Sequence, residues 1–189
     1  MKLHFIWFSC LICVCLSGGT AGAQSVPQTT AGNPAVDTLQ ASGVATNVTM
    51  ARSLSLSPDH TTLLQLMEAS GLTRQAAGKA AYTVFAPTNM AFTRVSEADL
   101  RELLLPSSKK RLIRFLAYHV VKGRLTSDQL RDGQTLTNLT GQLLIVHKQG
   151  DRITVADGRG IVADVIEANI RTTNGVVYSI NNVLQRGTQ

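Results

Sequence analysis

The feature that most constrains the fold is a change of pattern along the chain, from helical signals to short β-branched runs. Four such runs occupy the C-terminal part of the sequence: Leu143–His147, Ile153–Ala156, Ile161–Ile166 and Val176–Leu184. Turn-forming residues separate them, at Gln149-Gly150-Asp151, Asp157-Gly158 and Asn174-Gly175. Short runs of this kind with glycine turns between them are typical of antiparallel strands joined in hairpins.

The middle of the chain carries three helix signals. Proline after Ser57 favours a helix start and Gly71 is typical of a helix end, with Leu63, Leu64 and Met67 on one face between them. Ser96 predicts a second start, and Pro106 ends that helix. A third helix is predicted from Ser107 or Ser108 toward Val121. Helices followed by hairpins predict an α+β fold and exclude a doubly wound parallel sheet, in which helices and strands alternate.

The N-terminus has the pattern of a secretory signal peptide. Met1–His4 is a short positive start, Phe5–Leu16 is apolar, and Ala21-Gly22-Ala23 is a cleavage signal. The apolar run is too short for a membrane span, which needs about 20 apolar residues. We therefore predict that residues 1–23 are removed near Ala23. The mature protein is then secreted, extracellular or periplasmic, with no transmembrane segment.

Removal of this segment also removes all three cysteines, Cys10, Cys13 and Cys15. The mature chain would then have no disulfide, no cysteine metal ligand and no cysteine nucleophile. Residues 24–44 carry two prolines and no apolar period, which predicts a flexible linker. The regular pattern that follows predicts one domain over residues 45–186.

The sequence contains no convincing catalytic motif. Gly158–Ala163 matches the letters of a dinucleotide-binding motif, but a β-branched run follows where a helix is needed, which favours a hairpin turn. The histidines after the signal are isolated in sequence, at His60, His119 and His147. The candidate acids have no base beside them, at Asp128, Asp132, Asp164 and Glu167. We predict a protein that is not an enzyme and that has no cofactor and no metal.

The helix that starts near Lys109 has two contrasting faces. At 100° per residue one face collects Leu112, Phe115, Leu116 and His119, so we expect a buried, hydrogen-bonded His119 rather than a catalytic one. The opposite face collects Lys110, Arg111 and Arg114. These cations are candidates for binding anionic polysaccharide, phospholipid headgroups or another acidic surface, and a solvated helix face is the alternative. Nucleic acid is not expected as a partner, because no aromatic residues are interleaved with a basic stretch.

Three ordered segments resemble the signature motifs of the fasciclin (FAS1) domain family. Tyr82–Phe92 resembles the first motif, Tyr118-His119 the central Tyr-His motif, and Asn174–Leu184 the second motif. The resemblance implies a single-domain secreted member of the family. It also implies a FAS1-like wedge of β-strands, similar to a β-sandwich, with helices packed alongside.

Eight motif residues are expected to have structural roles: Thr83, Phe85, Pro87, Thr88, Asn89, Phe92, Asn174 and Gly175. Phe85 is expected in a core strand that Pro87 ends. Asn89 is expected to cap the turn that places Phe92 in the core. Asn174-Gly175 is expected to form a turn with positive φ before the last strand.

The resemblance implies adhesion as the function, because FAS1 domains are mostly extracellular adhesion modules. Animal members bind integrins through an Asp-Ile pair and through the Tyr-His region. Here Asn169 takes the place of the aspartate, so the carboxylate that would meet a receptor's metal ion is missing. The candidate interaction residues are Tyr118, His119, Lys110, Arg111, Arg114, Glu167, Asn169 and Ile170. The expected partner is an extracellular protein, a cell surface or a polysaccharide, and the oligomeric state stays open.

An alternative function is a secreted carrier of an apolar small molecule such as a carotenoid or a lipid. Some FAS1-like secreted proteins of microalgae bind carotenoids, so the resemblance allows this reading. Aromatic residues make up only 5% of the chain, which predicts a modest or aliphatic pocket. Two sequons, at Asn47 and Asn138, are possible glycosylation sites.

Overall fold

The structure is a computed structural model that describes residues 47–184. The predicted signal peptide (1–23) and the predicted linker (24–44) lie outside the described residues, as do the outermost residues of the predicted domain, 45–46 and 185–186.

Helices dominate the first half of the described chain and strands the second. The helices are α1 Met50–Leu56, α2 Thr61–Ser70, α3 Thr73–Ala76, α4 Asn89–Phe92, α5 Glu97–Leu104 and α6 Lys109–Tyr118, with 3₁₀ turns at Pro58–His60 and Pro106–Ser108. The strands are β1 Tyr82–Pro87, β2 Val120–Lys122, β3 Thr135–Thr137, β4 Leu143–Gln149, β5 Arg152–Asp157, β6 Val162–Thr172 and β7 Gly175–Ile180. The exception to this order is β1, which lies between the helices.

Local signals explain where most of the helices begin and end. Pro58 opens the 3₁₀ turn before α2, and Gly71 ends α2 with a left-handed φ of 79°. The Ser96 hydroxyl accepts a hydrogen bond from the Asp99 nitrogen at 3.1 Å, which caps α5 as predicted. Helix α6 ends at Tyr118, short of the predicted Val121, because β2 begins there and pairs antiparallel with β1.

The strands form one seven-stranded sheet in the order β2-β1-β7-β6-β5-β4-β3. Strands β3 to β7 are a run of antiparallel neighbours, whereas β1 lies parallel to β7. A bridge between Val121 and Asn138 joins the two ends of the sheet, which is therefore curled almost into a barrel. This arrangement, with helices packed alongside, confirms the predicted α+β fold. The predicted last strand, Val176–Leu184, ends earlier, at Ile180.

Two apolar clusters lie on opposite faces of β1 and β7. Successive side chains of a strand point to opposite faces, so Val84 and Val177 pack against the helices while Phe85 and Tyr178 point into the curl of the sheet. Phe85 and Tyr178 stack there with ring centroids 5.5 Å apart. The first motif thus supplies a core strand, as expected for Phe85, and Phe92 of α4 is buried in the helical cluster.

The role predicted for Asn89 is wrong. The cap of α4 is Thr88, whose hydroxyl accepts from the Ala91 nitrogen. The Asn89 amide instead reaches a different helix: its Oδ1 accepts from the Thr62 nitrogen at 3.0 Å, and its Nδ2 donates to the Pro58 carbonyl at 3.0 Å. The side chain therefore satisfies a free N–H at the start of α2 and ties it to the end of β1.

The positive φ predicted for the Asn174-Gly175 turn is also wrong, since neither residue has one. Gly175 is required by packing: a Cβ there would overlap the carbonyl oxygen of Tyr82 and lie 2.6 Å from Cε of Met50. Asn174 is a buried link between distant segments, because its Oδ1 accepts from the Met50 nitrogen and its Nδ2 donates to the Ala76 and Gly78 carbonyls. These two residues hold α1 and the end of α3 against β7.

Candidate interaction surface and apolar cavity

Helix α6 is held by neighbours on three sides. It packs against α2, α5 and β2. Leu112 and Leu116 are buried in the helical cluster, as the apolar face of the sequence predicts. The cations of the opposite face are left exposed to solvent.

One ion pair neutralises a cation of the predicted basic face and leaves the other two uncompensated. Lys110, Arg111 and Arg114 are all exposed, but Arg111 forms an ion pair with Glu102 of α5 at 2.6 Å. In the described part of the chain, Lys110 and Arg114 have no ion-pair partner. We call these two residues the α6 basic surface, because only they present uncompensated charge from the predicted set.

His119 is locked at the end of α6 by two hydrogen bonds. Its Nδ1 lies 3.0 Å from the Phe115 carbonyl oxygen and donates to it, and its Nε2 accepts from the Leu184 nitrogen at 3.0 Å. Burial lowers the pKa of His119 from its ordinary 6.5 to about 4, and the hydrogen bond to the Phe115 carbonyl acts in the opposite direction. The imidazole is neutral at physiological pH, which confirms the expected buried, hydrogen-bonded histidine.

The central motif therefore faces inward. Tyr118 and His119 are only 3% and 2% exposed. The interaction role predicted for them stays a prediction, and their burial restricts it to an indirect one, through the position of the helix end and of β2.

The predicted interaction residues before the second motif also differ in their exposure to solvent. Glu167 is exposed, Ile170 is half-buried against the helical cluster, and Asn169 is 2% exposed. Asn169 has a positive φ of 58°, and its Oδ1 accepts from the Ser127 nitrogen at 2.7 Å. Its amide thus fastens the loop before β3 to β6. The predicted interaction role of Glu167, Asn169 and Ile170 stays a prediction, and only Glu167 is fully accessible for it.

Two polar side chains of the second motif, Tyr178 and Asn181, are held by hydrogen bonds. The Tyr178 hydroxyl donates to the Leu125 carbonyl at 2.8 Å, and burial, then the charge of Asp128, raises its pKa. Asn181 binds Asp164 through both its oxygen and its nitrogen. Hydrogen bonds from Arg152 and then Asn181 lower the pKa of the Asp164 carboxyl. These contacts link Tyr178 to the loop after β2 and Asn181 to β6.

An apolar cavity of about 260 Å³ lies between helices α1, α2, α3 and α6 and strands β1 and β2, a position that the sequence did not predict. Its lining comes from α1, α2, α3, α6, β1 and β2, from the short connections before α3 and before β2, and from the turn after β3: Met50, Leu54, Leu63, Met67, Leu72, Gln75, Ala76, Tyr82, Val84, Phe85, Ile113, Leu116, Ala117, His119, Val120 and Leu139. Leu139, which is 48% exposed, belongs to the turn after β3, and its backbone nitrogen donates to the Val120 carbonyl at 2.8 Å. No local pattern encodes a space that forms between segments so far apart in sequence.

The cavity offers few polar groups to a ligand. Its polar side chains are Gln75, Tyr82 and His119, and both ring nitrogens of His119 already have backbone partners. None of the lining residues is charged. The interior therefore suits a hydrocarbon group better than a polar one.

The described part of the chain holds no group of three or more histidine, cysteine, aspartate or glutamate side chains arranged to bind a metal. His60 is buried and bonds to the Ser57 hydroxyl at 2.8 Å, while His147 is exposed, with its Nδ1 3.6 Å from Asp132. The Gly158–Ala163 segment includes the turn between β5 and β6, as predicted, with the Asp157 carboxylate accepting from the Arg159 and Ile161 nitrogens. Within residues 47–184 no helix is long and apolar enough to cross a membrane.

Comparison with known proteins is consistent with this geometry. The sequence model of the fasciclin domain family matches residues 58–186 of this chain. The protein sll1483 of Synechocystis is 33% identical over 123 residues, which are 65% of this chain and 65% of that protein. The cell surface glycolipoprotein MPB83 of Mycobacterium bovis is 32% identical over 108 residues, 57% of this chain and 45% of that protein.

Among solved structures, the FAS1 domain pair of the insect cell adhesion molecule fasciclin I matches with a TM-score of 0.66. The match has 14% sequence identity and covers 74% of this chain and 51% of that one. At this identity the similarity is one of fold. The chain spans less than two thirds of the length of each of these three proteins.

Proposed function

The chain belongs to the fasciclin domain family, and from this premise we propose that it is an extracellular module that binds surfaces or matrix components without catalysing a reaction. The observation that carries the proposal is the α6 basic surface. Lys110 and Arg114 are exposed and uncompensated, so they can attract an anionic polysaccharide or another acidic surface.

Two relatives support the extracellular and adhesive parts of the proposal. One is named a cell surface glycolipoprotein, and the structure with the same fold comes from a cell adhesion molecule. The predicted signal peptide, removed near Ala23, would deliver residues 24–189 to the outside of the cell as a linker followed by the domain.

The arrangement of titratable groups supports a function in binding rather than catalysis. The Asp132–His147 pair lies on the surface, with both side chains more than half exposed. The buried His119 has both nitrogens engaged by backbone groups, so it has no free lone pair for a substrate.

The test compares binding to beads coated with dextran sulfate and with neutral dextran. A basic residue near an anionic surface contributes on the order of 1 kcal/mol, so neutralising both charges in Lys110→Gln/Arg114→Gln should weaken binding by roughly 30-fold at low salt. The salt dependence should flatten as well. Arg111→Gln/Glu102→Gln is the control, because it removes both charges of an ion pair and leaves the net charge unchanged. Equal binding by the double variant and the unmodified protein would refute the role of this surface.

The cavity favours a second candidate function, a carrier of an apolar small molecule. Its volume of about 260 Å³ lies just below the roughly 300–1,000 Å³ of pockets for drug-sized ligands. It would hold one end of a carotenoid, or a shorter molecule entirely. The test is an absorption spectrum and mass spectrometry of a solvent extract, both from protein purified from its native host. A stoichiometric apolar ligand supports the carrier, and protein free of any such ligand argues against it.

A further inference from the structure

The α6 basic surface borders one edge of the part of α6 that lines the cavity. Ile113 and Ala117 line the cavity. On a helix of 3.6 residues per turn, Lys110 and Arg114 fall with them in a stripe about 100° wide, each within one turn of a lining residue. Leu116 and His119 line the cavity on the far side of Ile113, so the two cations lie beside the Ala117 edge of the lining.

A third cation borders the cavity from the sheet. Val120 lines the cavity, and Lys122, two residues further along β2, has its side chain on the same face of the strand. Lys122 also stands opposite Tyr82, another lining residue, in the antiparallel register of β1 and β2. Directly opposite residues share a face, so the exposed Lys122 flanks the edge of the cavity that Tyr82 forms.

Two acidic residues on helices α5 and α2 do not face the cavity. Glu102 is engaged by Arg111, which lies on the side of α6 that faces α5. Glu68 follows the lining residue Met67, but it is turned a further 100° around α2, away from Leu63 and the cavity. An uncharged cavity thus has positive charge along its rim on α6 and β2.

The volume limits the length of a bound chain. About 260 Å³ exceeds the roughly 150 Å³ of an engineered cavity that binds benzene. A cavity of this size therefore accommodates several methylene groups of a chain. The ligand that fits is an aliphatic chain of medium length, or the end of a longer one.

We propose that the cavity binds the hydrocarbon tail of a single-chain anionic amphiphile, of the fatty acid class, whose carboxylate is held at the rim by Lys110 and Arg114 with Lys122 nearby. This inference rests on the carrier function proposed above and adds the chemistry of the headgroup. Burial of the tail supplies the affinity, and the cations select the charge of the head.

The first experiment uses calorimetry of the full chain with three eight-carbon probes at low salt: octanoate, 1-octanol and octylamine. We expect octanoate to bind at one site at least tenfold more tightly than 1-octanol, and octylamine to bind most weakly. Added salt should reduce the difference between octanoate and 1-octanol. Equal affinities for octanoate and 1-octanol would refute the headgroup assignment while leaving the carrier function standing. Absence of binding by all three probes would refute both.

The second experiment separates the tail from the head with variants. Ala117→Phe fills the cavity and should abolish binding of all three probes, whereas Ala98→Phe, at an exposed position of α5, should bind like the unmodified protein. Lys110→Gln/Arg114→Gln should bring octanoate down to the affinity of 1-octanol and leave 1-octanol unchanged, with Arg111→Gln/Glu102→Gln as the control that keeps the net charge. If Ala117→Phe does not fold, Ala76→Phe fills the same cavity from α3. Full octanoate binding by a folded, filled variant would overturn the proposal.

Discussion

The imidazole Nε2 of His119 accepts a hydrogen bond from the backbone nitrogen of Leu184 at 3.0 Å, across 65 residues of sequence. This contact ties the end of α6 to the segment that follows β7. Because Nδ1 is occupied as a donor to Phe115, the ring must be neutral, with its proton on Nδ1, for the Leu184 contact to exist. His119 therefore links the helical layer to the segment that follows the last strand of the sheet.

Replacing this histidine should destabilise the domain strongly. His119→Leu keeps an apolar side chain but leaves the buried Leu184 N–H without an acceptor, which costs about 1–3 kcal/mol, and packing losses add to this. The free energy of unfolding in urea measures the effect. His147→Leu is the control, because His147 is exposed and should change stability by less than about 0.5 kcal/mol. Similar stability of the two variants would contradict the linking role.

Stability should also fall in acid because of His119. Its pKa is lowered from 6.5 when the chain is unfolded to about 4 in the folded protein, so the unfolded chain binds more protons between these values. The stability that comes from keeping His119 neutral is fully present above pH 6.5 and is lost progressively as the pH falls toward 4. The full pH-dependent change in the free energy of unfolding from His119 amounts to about 3 kcal/mol.

Urea unfolding at several pH values between 7 and 4 measures this dependence. Carboxylates and the buried His60, whose pKa burial also lowers, contribute to the slope of the unmodified protein. The comparison with His119→Leu isolates the share of His119: the variant should lose less stability between pH 6.5 and 4 than the unmodified protein. An equal loss in both proteins would show that His119 does not hold its neutral form in the fold.

Local signals in the sequence predicted the elements whose causes are local. Gly71 ends α2, Ser96 caps α5, and the runs separated by glycine turns became β4, β5 and β6. Signals were absent where a distant partner decides the structure. Strand β2 has only three residues and forms because it pairs with β1. The start of β2 ends helix α6, which the sequence predicted to continue toward Val121.

Residues with long-range partners were identified as important but assigned the wrong role. Asn89 and Asn174 both suggested local turns, yet their amides bind backbone groups 27 to 124 residues away. For the carrier alternative the scarcity of aromatic residues predicted a modest or aliphatic pocket, but no pattern indicated which segments would line the cavity. Spacing in a sequence cannot show which segments fail to fill the space between them.

Substitutions at Asn169 should separate its backbone role from its side-chain role. Asn169→Ala loses the hydrogen bond to the Ser127 nitrogen and must also adopt a φ of 58°, which costs a residue with a Cβ about 1–2 kcal/mol. Asn169→Gly loses the same hydrogen bond but adopts this φ freely. We expect Asn169→Gly to be the more stable variant by about 1 kcal/mol in urea unfolding. The reverse order would mean that the left-handed conformation is not maintained in solution.

Gly175→Ala should be among the most damaging small substitutions in the domain. Its φ is not positive, so backbone strain is not the cause, and the damage comes from overlap of the new Cβ with the Tyr82 carbonyl and Met50. Overpacking of this kind costs about 1–3 kcal/mol and sometimes more, because β1 and β7 must move apart. Gly158→Ala is the matched control, since its Cβ would meet nothing within 4 Å and its φ is not positive either.

Thermal unfolding of a second variant identifies which of the two contacts limits the site. Gly175→Ala/Met50→Ala removes the flexible methionine but leaves the Tyr82 carbonyl, a backbone atom held by the parallel pairing of β1 and β7. Relative to Met50→Ala alone, the added alanine should therefore still lower the melting temperature by several degrees. Full recovery would mean that the methionine side chain, and not the close approach of two strands, requires glycine at this position.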